Sequence, residues 1–246
     1  MGVRALALFA AWAGAWGASP EEGAPIGVFE EWVYALEFQP AWAQGDCASN
    51  VTAHLNGSLA ARELSIHGLW PNYNSSLHDD ASWPQFCKNA TLDFTVCNPS
   101  CSEALCQISA GTRAAMAARW AARYPEYAYG SLAEHEWSKH GSCTGLDQLS
   151  YFQLVDAKVA PTLDGAGASL VKSSVGADVA YGDLSQAFST DHGGKEVALG
   201  CEGCNLSDVW FKFDAATSAP LDYAGTSTCA KCDQVHIIDF AKEGCK

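Results

Sequence analysis

The stretch EHEWSKHGSC, residues 134–143, places two histidines, two glutamates and a lysine within seven positions. Written as a helix at about 100° per residue, Glu136, His140, Lys139 and His135 fall within an arc of about 140°, while Trp137 and Ser138 point elsewhere. A solvated charged face has the same pattern. Two details favour chemistry: histidine is scarce, 7 in the whole chain, and Cys143 can pin the stretch covalently. A zinc helix of the H-E-x-x-H kind needs histidines four apart on one face. Here they are five apart and would diverge by about 140° on a helix, so no metal is expected. No G-x-S-x-G nucleophile elbow is present either. What remains is acid–base chemistry beside a cation, for which histidine's ordinary pKa near ~6.5 is suited. Its second histidine should come from a distant part of the chain. His67, in SIHGLWP (residues 65–71), is the candidate, although a histidine between Ile66 and Gly68 also suits a purely structural role.

Composition bounds the setting. The opening MGVRALALFAAWAGAWGAS carries one arginine, an apolar run too short for a membrane anchor, and then small residues, the pattern of a secretory signal over residues 1–18. Residues 19–246 are then one domain, since no linker divides them. Eleven cysteines in an exported chain argue for disulfides. The pairs CEGC (201–204) and CAKC (229–232) also have the spacing of a zinc ribbon, but an oxidising compartment favours bridges. Asn50, Asn56, Asn74, Asn89 and Asn205 begin glycosylation sequons. Net charge is −14, or −15 without Arg4, which opposes a broad nucleic-acid-binding face but leaves room for a small local phosphate site. With a pI near 4.7, the repulsion of polyanions fades in acid.

Residues 29–42, FEEWVYALEFQPAW, read as a core strand, and ELSIHGLWP (63–71) as a second strand that stops at Gly68 and Pro71. Residues 71–89 read as a long polar loop. Two helices are expected, over 105–124, with Arg113, Arg119 and Arg123 as solvated positions, and over 149–163, ended by Pro161. Late strands follow at 206–214 and 235–240. Strands before, between and after helices, without βαβ regularity, indicate an α+β domain: a central antiparallel sheet packed by helices and held by disulfides.

Together, SIHGLWPNY (65–73) and EHEWSKHGSC (134–143) resemble the two active-site segments of the ribonuclease T(2) family, in the right order. Weaker similarity runs from about Gly27 to Phe240, and GLWPNYN is similar to plant members. The resemblance implies a secreted or vacuolar/lysosomal acid endoribonuclease, without metal or cofactor, cleaving single-stranded RNA through a 2′,3′-cyclic phosphate and leaving DNA untouched. The chain would act as a monomer without a membrane span; the alternative is a catalytically silent glycoprotein of the same fold. Carried over by position, His140 is the general base and His67 the general acid, Glu136 and Lys139 stabilise the transition state, and His135 holds phosphate. Trp70 borders the substrate or packs beneath His67. Tyr73, His78 and Trp83 lie where flat side chains can stack a base. Leu132-Ala133 stands where the family carries aromatics, which implies altered packing or a reshaped pocket wall. The resemblance also implies a Cys87–Cys143 bridge and a late bridge from Cys201 or Cys204 to Cys229 or Cys232.

Overall fold

The computed structural model describes residues 19–45, 54–55, 57–74, 81–87, 107–129, 131–223 and 227–244. In chain order they form β1 (Ser19–Glu22), β2 (Glu31–Glu37), α1 (Gln39–Gly45), β3 (Ser65–Asn72), β4 (Ala81–Gln85), α2 (Ala110–Arg123), α3 (Pro125–Tyr129) and α4 (Leu132–Lys139). There follow α5 (Gln148–Val159), α6 (Ala166–Ser173), β5 (Ala177–Ala180), α7 (Tyr181–Asp191), β6 (Ala198–Glu202), β7 (Asn205–Asp214), β8 (Pro220–Leu221), β9 (Gln234–Ile237) and α8 (Phe240–Glu243). The main sheet runs β3-β2-β7-β9-β5, with β6 and β8 also on β7. Its pairings are antiparallel except for one parallel bridge between β7 and β9. The domain is α+β.

Alternation along the strands separates two faces. Trp32, Tyr34 and Leu36 of β2 join Val209 and Phe211 of β7 in the apolar core, covered by α2 and α5 through Trp120, Tyr151, Phe152 and Val155. The opposite face carries Val33, Ala35 and Glu37, and across the register Ala35 meets Trp210 while Glu37 meets Asp208. In β3 the alternation breaks once. Ala35 pairs with Gly68 but Leu36 pairs with Ile66, so His67 is the extra residue of a β-bulge. Ile66 and Leu69 both enter the core, so the two residues between them, His67 and Gly68, share the opposite face. The bulge is what aims the histidine.

Several sequence expectations change in the structure. The strand through His67 does not stop at Gly68 or Pro71 but pairs with β2 as far as Asn72; Pro71 has no N–H to lose on an edge strand. The first core strand ends at Glu37, and Pro40 sits in the first turn of α1, where it is tolerated. Part of the expected 71–89 loop is β4, paired in parallel with β1. Pro161 is preceded by the end of α5 at Val159 and lies in a 3-10 turn. The three arginines of α2 are not merely solvated: they pair with Glu134, Asp156 and Asp164. The expected late bridge, by contrast, is present and doubled, Cys201 with Cys229 and Cys204 with Cys232. Residues 1–18 and the sequons at Asn50, Asn56 and Asn89 lie outside the described residues.

β3 ends the sheet on one side, yet its outward carbonyls are bonded. Tyr127 of α3 donates to the His67 carbonyl at 2.5 Å and Tyr151 of α5 to the Leu69 carbonyl at 3.0 Å. Both tyrosines are fully buried. Tyr127→Phe and Tyr151→Phe should each lower stability by about 1 kcal/mol, because a buried carbonyl then loses its partner. Urea unfolding midpoints check this; unchanged midpoints in both variants would mean that the carbonyls find other donors.

Candidate active site

β3 and α4 meet at a seam that contains both segments singled out in the sequence. Trp70 Nε1 donates to Glu136 Oε2 at 2.7 Å. His67 Nε2 lies 3.6 Å from the other Glu136 oxygen. The close approach requires Gly68: a Cβ there would overlap the Glu136 carboxylate and lie 2.6 Å from Trp70 Nε1. The Trp70 ring lies between the two histidines. It stacks on His140 at 5.1 Å and 25°, and meets His67 edge-on at 5.2 Å and 83°. His67 is 6% exposed, His140 4% and Glu136 0%, whereas His135 and Lys139 are half-buried and form the open side.

The end of α4 is fixed from several directions. His140 caps the helix with φ −112°, its N–H on the Glu136 carbonyl. Ser142 Oγ donates to the Ser138 carbonyl at 2.8 Å and accepts from the Cys87 N–H at 3.1 Å. Phe86 takes a left-handed φ of 47° and donates its N–H to the Lys139 carbonyl at 3.0 Å. Cys87 is bonded to Cys143. The terminal carbonyls of this short helix are therefore satisfied by neighbours rather than by water.

Electrostatics separates the two buried imidazoles. Burial opposes charge on His67, but Glu37, Asp208 and Glu136 outweigh it and push its pKa up to about 9. Burial, with the positive Lys139, His135 and His67 beside it, holds His140 well below the ordinary histidine range. His135 is depressed by burial and Lys139 in the same way. Burial raises Glu136 to about 7 against the pull of His67, the Trp70 hydrogen bond and Lys139. Lys139 is itself lowered by burial, with Glu136 opposing.

His67, Trp70, His135, Glu136, Lys139 and His140 thus come together. Tyr73 does not. It is 2% exposed and its hydroxyl donates to Glu21 at 2.7 Å, so it packs under β1 with no face open to a base. Trp83 is half-buried, with its indole N–H on Gln85 Oε1 at 3.3 Å; His78 lies outside the described residues. The expected divergence of His135 from His140 does not keep the rings apart: their centroids are 6.4 Å from each other, although the His140 N–H still bonds the Glu136 carbonyl. One nitrogen or oxygen from each of His135, Glu136 and His140 lies within 4.8 Å of the others. One Glu136 oxygen accepts from Trp70, and the other faces His67 Nε2 at 3.6 Å.

The acids behind His67 were not anticipated from the sequence. Glu37 Oε2 is 3.5 Å and Asp208 Oδ1 3.9 Å from Nδ1, and both are buried. The only signal was parity: each is an acid inside an apolar strand, in step with the residues that avoid the core. Trp210, edge-on to Trp70 at 5.3 Å, was hidden in the same way.

Comparison with known proteins agrees with this arrangement. The sequence matches the Ribonuclease T2 family over residues 32–232. It is 31% identical to Ribonuclease Trv of Hypocrea rufa over 172 residues, 63% of this chain and 67% of that protein. It is 24% identical to Ribonuclease I of Escherichia coli (strain K12) over 241 residues, 87% of this chain and 88% of that protein. Trichomaglin, described as a novel S-like ribonuclease, shares the fold with a TM-score of 0.63 at 14% identity, covering 86% of this chain and 98% of its own. The RNase-related protein from Calystegia sepium gives a TM-score of 0.60 at 19% identity, covering 85% and 97%. With a family match that spans most of the sequence and includes every residue of the β3–α4 seam, the chain belongs to the Ribonuclease T2 family.

Proposed function

We propose that this protein is an endoribonuclease that cleaves single-stranded RNA by internal transphosphorylation, with His140 as general base and His67 as general acid. The observation that carries this reading is that two imidazoles from distant parts of the chain both contact one indole ring, which in turn holds Glu136. A neutral His140 removes the proton of the ribose 2′-OH, whose oxygen attacks the adjacent phosphorus. The 5′-oxygen leaves with the proton of His67, and a 2′,3′-cyclic phosphate remains. Water then opens the ring to a 3′-phosphate with the two roles reversed. Lys139 and His135, on the open side, face the non-bridging oxygens where negative charge grows. Glu136 is fixed by Trp70 between the two histidines. DNA lacks the nucleophile and is not cleaved.

The scheme uses only this chain's own proton donors and acceptors, and no metal or cofactor takes part. The cysteine content, the bridges and the sequons support a secreted or vacuolar/lysosomal setting for a monomer. Mild acid suits the reaction, since repulsion between this acidic chain and RNA weakens there.

His67→Ala and His140→Ala should each lower turnover of single-stranded RNA at least about a hundredfold, the usual contribution of a proton-transfer group. Wild-type activity should persist in EDTA and yield cyclic-phosphate ends, with no cleavage of the matching DNA. Chelator-sensitive cleavage, or full activity in both variants, would overturn the mechanism.

The pH dependence has a definite sign. His140 must be neutral, so kcat/KM falls as pH drops through its depressed value; His67 must be protonated, so kcat/KM falls as pH rises through about 9. A bell with its alkaline limb near 9 is therefore expected for a dinucleoside monophosphate, and a limb below 7 would contradict the His67 assignment.

A further inference from the structure

On the side of His67 away from Glu136 lie three more buried acids that the proton-transfer scheme does not use. Glu37 comes from β2, Asp208 from β7 and Glu126 from α3. Glu37 and Asp208 are register partners, so their carboxyl groups stand side by side beneath the bulge. Burial, and Glu126 beside it, hold the Glu37 carboxyl well above the ordinary carboxylate range. A chain of polar groups orients Glu37: Gln39 Nε2 donates to Ser65 Oγ at 3.0 Å, and the Ser65 hydroxyl donates to Glu37 Oε1 at 3.4 Å. That leaves Oε2 for His67 Nδ1, 3.5 Å away. Burying acids carries a large desolvation cost, and apolar side chains would fill the same space more favourably. A group of acids aimed at one ring nitrogen therefore needs a reason beyond packing.

We propose that Glu37 and Asp208 are positioning residues that hold the His67 ring through its Nδ1–H, so that the proton it exchanges is carried on Nε2. The inference rests on His67 being the general acid. When Nε2 gives its proton to the leaving 5′-oxygen, the neutral ring keeps the Nδ1 proton against the two acids. The ring then neither turns nor changes tautomer, and Nε2 is free to take a proton from the attacking water in the hydrolytic step. The logic is that of a carboxylate fixing the tautomer of a catalytic histidine. The titratable groups facing His67 are Glu37 from β2, Asp208 from β7 and Glu136 from α4, with Lys139, His135 and His140 beyond Glu136 on the α4 side. Glu126 acts on it through Glu37.

The test uses Glu37→Gln, Asp208→Asn and the double variant, which keep shape and remove charge. The readouts are kcat/KM against pH for a dinucleoside monophosphate, the NMR titration of His67, and thermal melting. In each single variant the alkaline limb and the His67 midpoint should move to lower pH by about one unit, and further in the double variant. Melting temperature at neutral pH should hold or rise, because buried like charges are removed. An unmoved limb and midpoint would overturn the inference, as would a uniform loss of activity at all pH values that follows a fall in melting temperature. His67→Ala in the same assay separates the two levels. If it retains activity, the general-acid reading fails; if it is inactive while the single and double variants leave the limb in place, only the role of Glu37 and Asp208 fails.

Discussion

The hydrogen bond from Trp70 to Glu136 joins two pieces of chain separated by 66 positions, and the remaining geometry of the site is arranged around it. To make it, an indole on an edge strand must reach a carboxylate buried on a short helix. The strand meets this by placing glycine at position 68, since any side chain there would occupy the space of the carboxylate. The helix meets it by stopping at Lys139, where its carbonyls are taken by Phe86 and Ser142 and its backbone is tied through Cys143. The bulge then adds the final adjustment by placing His67 and Gly68 on one face. No one of these features makes sense without the others.

The same side chain serves in two opposite electrical environments. His67 has carboxyl groups on both ring nitrogens, whereas His140 has an ammonium and other imidazoles as neighbours. Burial alone would make both neutral; the neighbours separate them, which is how two like groups acquire complementary proton affinities. The separation is local. The chain as a whole is strongly acidic, and the edge formed by Lys139 and His135 is the part of the site that remains open.

The legibility of the molecule in its sequence divides along physical lines. The helix of EHEWSKH and the strand of SIHGLWP could be read because composition and spacing are local properties. The end of that helix at Lys139 could not, because it depends on the bonds from Phe86 far upstream and Ser142 just downstream. Tyr73 lay in the right segment to be read as a stacking group, yet Glu21, 52 positions earlier, claims its hydroxyl. β1 and β4 each have too little apolar alternation to be read alone, and exist as strands only because they pair. Glu37 and Asp208 are the clearest case. Each is an ordinary acid in its own strand, and only the register of β2 against β7 makes them a pair.

The tyrosine hydroxyls on β3 have one more consequence. A terminal strand with bare carbonyls is a template on which a second copy, or any extended peptide, can add itself. Here the strand so extended would be the one that carries His67 and Trp70, and a guest chain would lie along the seam of β3 and α4. Tyr127 and Tyr151 close that route from inside the molecule, and Pro71 near the end of the strand offers no N–H to a guest. The fold thereby leaves the strand that carries His67 and Trp70 at the rim of the sheet with two of its carbonyls already bonded.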